Sequence, residues 1–427
     1  MTTAPAPAAR HPVRLIVTDD LARRRLTVFF RLLLALPHFV WLALYGIAAS
    51  TLAFVVWLAI VFEGRAPRTL HGFLVSYVRY STHVTAYLCL AAGPYPGFTG
   101  STDYPVDVEI DGPERQRRLG ALVRIVLAIP ALLLASTLAG SVVLGAGFGF
   151  APLTAVGALS ATVGFLGWLA ALVLGRMPRG LRDAGAYACG YAAQVTAYAL
   201  LATGRYPDST PGRVEPPPDL PRHAVAILVE NDLRRPRLLV AFRLPLAVPH
   251  FFWLTLWAVP ATVAAVLGWL VTLARGEMPS SLHRFLAAFV RYVAHVTAFT
   301  YLVGRPFPGF VGREGSYPID VTIEPPARQR RLGVLVRLVL ALPALLVYQA
   351  YSIVLYAVAL LGWVAAVVTG RMPSGLRDLG AAAVRYQSQI GAYALLLTPQ
   401  YPDSSPVLVA PPAPIAEPEQ FAVADTA

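Results

Sequence analysis

Charged residues are missing from four long windows of the chain. No Asp, Glu, Lys or Arg occurs in 32–62, 125–175, 244–274 or 338–370. An uncharged apolar run of roughly 18 or more residues reads as membrane-spanning. Ahead of each window, apolar and polar positions alternate, as in VDVEI at 106–110. This period of two predicts half-buried strands at 13–19, 105–111, 224–230 and 318–324. Asp107 and Glu109 fall on the opposite face from Val106, Val108 and Ile110, which suggests a water side. A lone strand is unstable, so the four are expected to pair in one small extramembrane sheet. Each window exceeds the about 20 residues that one crossing takes and is therefore expected to fold as a tight helical hairpin. An amphipathic helix is expected after each, at about 69–92, 180–202, 281–302 and 375–397. The predicted class is mainly α and membrane-integral, with four repeats of strand, transmembrane hairpin and amphipathic helix.

The repeats are explicit in the letters. GRAP, GRMP, GEMP and GRMP begin at Gly64, Gly175, Gly276 and Gly370. A proline precedes each at Pro37, Pro130, Pro249 and Pro343, and VTAY, VTAY, VTAF and IGAY follow. In GRxP, glycine ends one helix and proline suits the first turn of the next. Copies one and three share PHF, LHxFL and RYxxHVTA, whereas copies two and four share RQRRLG, GLRDxGA and YPDS. The order is ABAB, a duplicated two-repeat unit. The first unit is expected at 13–206, as repeats 13–104 and 105–206. A Pro-rich linker follows at 207–222, then a second unit at 223–402, as repeats 223–317 and 318–402. Residues 1–12 and the acidic, Pro-rich 403–427 read as disordered ends. The runs RRLTVFFRLLLALPHFVWL, GRAPRTLHGFLVSYVRYSTHVTAYL and the YPGF close resemble the uncharacterised bacterial membrane family catalogued as domain of unknown function 4389. The resemblance covers most of 13–402 and implies a multi-pass membrane protein. It implies no activity.

Charge sharpens the picture. All 35 basic residues are arginine, the net charge is +12 and mean hydropathy is +0.59. The arginines border apolar runs, which points to anionic headgroups rather than nucleic acid. The candidate headgroup contacts are Arg23, Arg24, Arg25, Arg117, Arg118, Arg234, Arg235, Arg330 and Arg331. One further arginine per repeat, Arg31, Arg124, Arg243 and Arg337, is expected to lay its stem on apolar surface with its head in water. The positive-inside rule places the basic clusters in the cytoplasm, and an even number of crossings per repeat keeps all four there: a hairpin with an interfacial third helix does so, and a single long span over 39–62 with a crossing third helix is the other, weaker option. The expected location is a bacterial plasma membrane, with both termini cytoplasmic.

Candidate chemistry is thin. There is no HExxH, GxSxG or Walker sequence, and Cys89 and Cys189 have no metal or disulfide spacing. No catalytic, cofactor or metal residue is assigned. GAGFGF at 145–150 reads as close helix packing or a flexible turn, and Asp183 and Asp378 as helix N-terminal stabilisers. His38 and His250 read as filling hydrogen-bonding needs inside a bundle. The sharpest pattern is a polar stripe on the amphipathic helices: Arg79, Arg291 and Arg385, with His83, Gln194, His295 and Gln389. Facing headgroups, these residues anchor the helix; facing a bundle interior, they line a polar path. The function expected is a non-enzymatic scaffold or lipid-interacting protein; the alternative is a transporter or channel.

Overall fold

The computed structural model describes residues 11–140, 159–214, 223–230 and 232–409. The glycine-rich 145–150, most of the expected N-terminal arm, residues 215–222 of the linker and 410–427 of the tail lie outside them.

The first repeat is β1 (Val13–Val17), α1 (Arg25–Phe29), α2 (Arg31–Glu63) and α3 (Arg68–Leu88). The second is β2 (Val106–Ile110), α4 (Arg118–Leu122), α5 (Arg124–Ala139), α6 (Leu159–Leu174) and α7 (Arg179–Ala199), followed by the two-residue strand β3 (Arg213–Val214). The third is β4 (Val225–Val229), α8 (Arg237–Ala241), α9 (Arg243–Arg275) and α10 (Ser280–Thr300). The fourth is β5 (Ile319–Ile323), α11 (Arg331–Leu335), α12 (Arg337–Thr369) and α13 (Ser374–Ala394), closed by β6 (Leu408–Val409).

The hairpin expectation is corrected in three repeats. Helices α2, α9 and α12 are each continuous over 33 residues, roughly 50 Å. They are long and apolar enough to cross a membrane. The reason lies in an unbroken helical period. In α2 the buried positions are Arg31, Ala35, His38, Leu42, Gly46, Ala49, Ala53, Val56 and Ile60, spaced by three or four throughout. A hairpin turn would interrupt that stripe. In the second repeat the run is α5 and α6, with 141–158 outside the described residues. The GRxP glycines end these helices in the left-handed region, with φ of 76°, 71°, 80° and 71° at Gly64, Gly175, Gly276 and Gly370. The proline three residues on precedes a 21-residue third helix in every repeat.

The single four-stranded sheet is also corrected. β1 pairs antiparallel with β2, from Val13 opposite Ile110 to Val17 opposite Val106. β4 pairs with β5 in the same way, from Val225 opposite Ile323 to Val229 opposite Ile319. Each ribbon rests on the third helices of its own unit: β1 on α7, β2 on α3, β4 on α13 and β5 on α10. The units meet instead through α12 against α5 and α6, so the ribbons stay apart. Part of the expected linker and tail is ordered, because β3 and β6 pair in parallel, Arg213 with Leu408 and Val214 with Val409.

The B-repeat motifs explain that closure. Ser209 and Thr210, at the end of the first YPDS segment, lie where a Cβ on Gly375 would come within 2.6 Å and 2.9 Å of them. Asp403 and Ser404, in the second YPDS segment, lie likewise 2.6 Å and 2.8 Å from a Cβ on Gly180. GLRD of one unit thus receives YPDS of the other, reciprocally.

Candidate functional site

The polar stripe binds the third helices to the ribbons. In the first repeat His83 Nε2 lies 2.9 Å from Asp107 Oδ1, and Arg79 Nε lies 3.0 Å from the same oxygen. Arg79 also donates to the Val108 carbonyl at 3.3 Å, and the His83 ring lies over Tyr104 at 4.5 Å. The third repeat repeats the cluster: His295 to Asp320 at 2.8 Å, with Arg291 donating to the Val321 carbonyl at 2.9 Å and pairing with Glu314 at 3.0 Å. In the B repeats the amides replace the imidazoles. Gln194 donates to the Val13 carbonyl and Gln389 to that of Val225, and their oxygens accept the Asp208 and Asp403 N–H groups. Arg385 donates to the Val407 and Ser405 carbonyls. Gly190 holds the arginine position in the second repeat, where the Leu15 side chain packs close.

Asp107 and Asp320 therefore do not face water, as the alternation suggested for the acids; they are 8% and 2% exposed. Glu109 does face water, paired with Arg14 at 3.2 Å. Burial lowers the His83 pKa, outweighing the opposing pull of Asp107. Burial pushes the Asp320 carboxyl up, but hydrogen bonds from His295 and from the Gly315 and Val321 N–H groups bring it below its ordinary value.

Two of the nine candidate headgroup arginines are engaged inside the protein. Arg23 is buried on Asp19 at 2.8 Å and on the Leu90 carbonyl, and Arg235 on the carbonyls of Leu302 and Val303. Arg24, Arg25, Arg117, Arg118, Arg234, Arg330 and Arg331 are exposed. Of these, Arg25 donates to Val173 O at the end of α6 and Arg331 to Ala274 O at the end of α9.

The snorkelling expectation is corrected. Arg31, Arg124, Arg243 and Arg337 are all buried, each over an aromatic ring of a third helix: Tyr87, Tyr198, Phe299 and Tyr393 at 3.9, 4.1, 4.3 and 4.1 Å. Their donors meet carbonyls at or just beyond the third-helix C-termini, such as Tyr87 O and Thr203 O, where positive charge is favoured. The recurrence of VTAY beside one fixed arginine was the legible signal. Asp183 and Asp378 lie beyond the first turns of their helices and hold Arg182 and Arg377 at 2.6 and 2.5 Å. His38 and His250 each share a 2.7 Å hydrogen bond with a third-helix hydroxyl, of Tyr80 and Tyr292. Cys89 and Cys189 are free thiols with sulfurs 3.8 Å apart.

GRxP proves to be more than punctuation. Within each unit it pairs with the opening turn of the sister repeat: Gly64 O accepts Gln116 N–H, Gly175 O accepts Arg23 N–H, Gly276 O accepts Gln329 N–H and Gly370 O accepts Arg235 N–H. At every one of these joints a leucine of the opening turn stands out. Leu26, Leu119, Leu238 and Leu332 are 72%, 74%, 77% and 72% exposed, each following an exposed arginine.

These features define a mainly helical protein of four interlocked repeats, with small antiparallel ribbons and helices long and apolar enough to cross a membrane. The family model described as Domain of unknown function (DUF4389) matches residues 25–99, 148–209, 237–309 and 331–404, more than half of the chain. The chain belongs to that family. Comparison with curated proteins and with solved structures yields no match.

Proposed function

We propose that this is a non-enzymatic, lipid-interacting membrane scaffold of the bacterial plasma membrane, with its exposed arginines on anionic cytoplasmic headgroups. The observation that carries the reading is the exposed Arg–Leu pair repeated at all four joints beside the apolar long helices. Each arginine near an anionic surface contributes about 1 kcal/mol, and each leucine adds apolar burial.

The same geometry bears on how the long helices meet the bilayer. α2 runs antiparallel along α3, with Arg31 beside Tyr87, His38 beside Tyr80 and Tyr45 beside Phe73. The ribbon lies against the middle and end of the same third helix and carries exposed Arg14, Glu109 and Asp111. A perpendicular α2 would carry those ion pairs to hydrocarbon depth, where unsolvated charge is costly. We therefore read the long helices as lying along the cytoplasmic leaflet. That keeps all four basic clusters and both termini on one side, as the positive-inside rule favours. The Arg/His/Gln stripe lends a transport path no comparable support, since its groups are bonded to the ribbons or, for Arg385, to the backbone of 403–407.

Spin labels at Leu32, Ile47 and Phe62, all exposed on α2, test this in reconstituted vesicles. Similar depths at the three sites are expected. A deep Ile47 between two shallow ends would replace the in-plane reading with a crossing. Equal affinity for phosphatidylglycerol and phosphatidylcholine vesicles would remove the headgroup reading.

A further inference from the structure

The joints differ in charge where the backbone is the same. At the joint between the third and fourth repeats, Arg234 and Arg371 face each other across an isolated antiparallel bridge. At the joint between the first and second, Arg65 and Arg115 do the same. Like charges directly opposite are destabilising. Among the described residues none of these four guanidinium groups has an acidic partner or a hydrogen bond. The other two joints show that the fold does not need the pair. In one, Ala22 stands opposite Arg176. In the other, the GEMP loop supplies Glu277 in place of the arginine, beside the Gln329–Gly276 backbone bond that follows Arg328.

The Arg234–Arg371 pair borders an open cleft of about 470 Å³. Asp232, Thr369 and Ser374 line it with them. Asp232 is engaged by Arg305 at 3.5 Å and by the Arg234 backbone N–H, and among the described residues it forms no ion pair with either guanidinium of the pair. Leu238, 77% exposed, and Val368, 67% exposed, flank this joint and bring it to the level of the apolar surface.

We propose that the paired arginines are phosphate-binding sites, one per AB unit, Arg234 with Arg371 and Arg65 with Arg115. Two forked donors side by side fit the oxygens of one phosphate group and relieve the repulsion between them. The proposal rests on the headgroup reading for the source of the phosphate, a lipid at the membrane surface; free phosphate offers the same chemistry.

The test compares full-length wild type with R234Q/R371Q and with R176Q/R313Q, which removes the same charge from exposed arginines outside the pairs. Binding to phosphatidylglycerol vesicles should fall roughly thirtyfold in the first variant and clearly less in the second, since two headgroup contacts of about 1 kcal/mol each are lost together. R234K/R371K should recover part of the loss through charge alone, and Glu277→Arg, which builds a third pair with Arg328, should raise affinity. In detergent, millimolar inorganic phosphate should raise the Tm of wild type more than that of R234Q/R371Q, which keeps only the Arg65–Arg115 pair, and should have no effect once R65Q/R115Q is added, if free phosphate enters the sites. Protection seen only with phosphatidylglycerol assigns the lipid as source. Equal losses in the two double variants, with no phosphate effect on Tm, would overturn the site while leaving the headgroup reading standing. A phosphate effect without any preference for phosphatidylglycerol would keep the site and overturn the headgroup reading.

Discussion

Asp107→Ala should cost more than any change to the histidine it touches. Asp107 accepts from both Arg79 and His83, at 3.0 and 2.9 Å, and its side chain is 11% exposed. Removing it leaves the Arg79 guanidinium, 18% exposed, without its carboxylate. Stranding a fully buried partner costs about 3–5 kcal/mol, and partial exposure argues for the lower end, about 3 kcal/mol. His83→Gln differs in kind. Glutamine already serves at the matching positions 194 and 389, and it keeps an amide donor for Asp107. It loses the stacking on Tyr104, about 0.5–1.5 kcal/mol. The His83 pKa is lowered by burial, so the unfolded chain binds the proton more tightly. Wild-type stability is therefore fully present above the unfolded value, about 6.5, and is lost as pH falls through the folded one. Thermal melting followed by circular dichroism in detergent, from pH 8 to pH 5, reads both effects. Asp107→Ala should lower Tm throughout, and the penalty of His83→Gln should shrink as pH falls. A histidine penalty constant with pH, or larger than the aspartate penalty, would refute this account of the cluster.

Gly180→Ala places a Cβ within 2.6 Å of the Asp403 carboxylate and 3.1 Å of the Ser404 backbone, so it should loosen the contact between units by about 1–3 kcal/mol; faster hydrogen exchange at 401–409 is the readout. Arg31→Met removes the cation from the Tyr87 ring and strands two carbonyls, and should cost about 2–4 kcal/mol in a denaturation curve, whereas loss of a snorkelling arginine would cost almost nothing. Copper–phenanthroline oxidation should join Cys89 to Cys189 within one chain, detected by mass spectrometry, and should fail in Cys189→Ala. Cysteines placed at the exposed Thr69 and Ser374 should resist a membrane-impermeant thiol reagent in intact cells, as the proposed cytoplasmic location of the GRxP joints requires; labelling of either from outside would refute that location.

Much of the repeat organisation was written in residue types with one structural meaning. Gly64, Gly175, Gly276 and Gly370 needed positive φ, and the strands appeared where the alternation placed them. What failed depended on partners far away in sequence. Whether Val106–Ile110 joins a two-stranded ribbon or a four-stranded sheet is decided by which third helix carries each ribbon, and no local period encodes that. The direction of Arg31 was hidden for a related reason: its stem suits a lipid edge equally well, and only the carbonyls of Tyr87 and Ala92, brought round by α3, turn the head inward. The continuity of α2 was legible: Gly46, Ala49 and Ala53 keep small residues on one helical face through the middle of the run, where a hairpin would need a turn.

The ABAB order then acquires a physical reason. An A repeat locks its third helix to the ribbon with a charged cluster, as His83, Arg79 and Asp107 do. A B repeat makes the same lock with a neutral glutamine whose oxygen holds the YPDS backbone, as Gln194 holds Asp208 and Gln389 holds Asp403. That backbone continues to the glycine of the opposite unit, Gly375 or Gly180. A histidine in the B position could donate to the ribbon through one ring nitrogen, but its acceptor would be the other, displaced around the ring and not beside the donor as in the amide that fixes the segment joining the units. A glutamine in the A position would keep the donor and lose the ring over Tyr104. The two residue choices are therefore not interchangeable: A repeats stabilise a unit, and B repeats stabilise the pair.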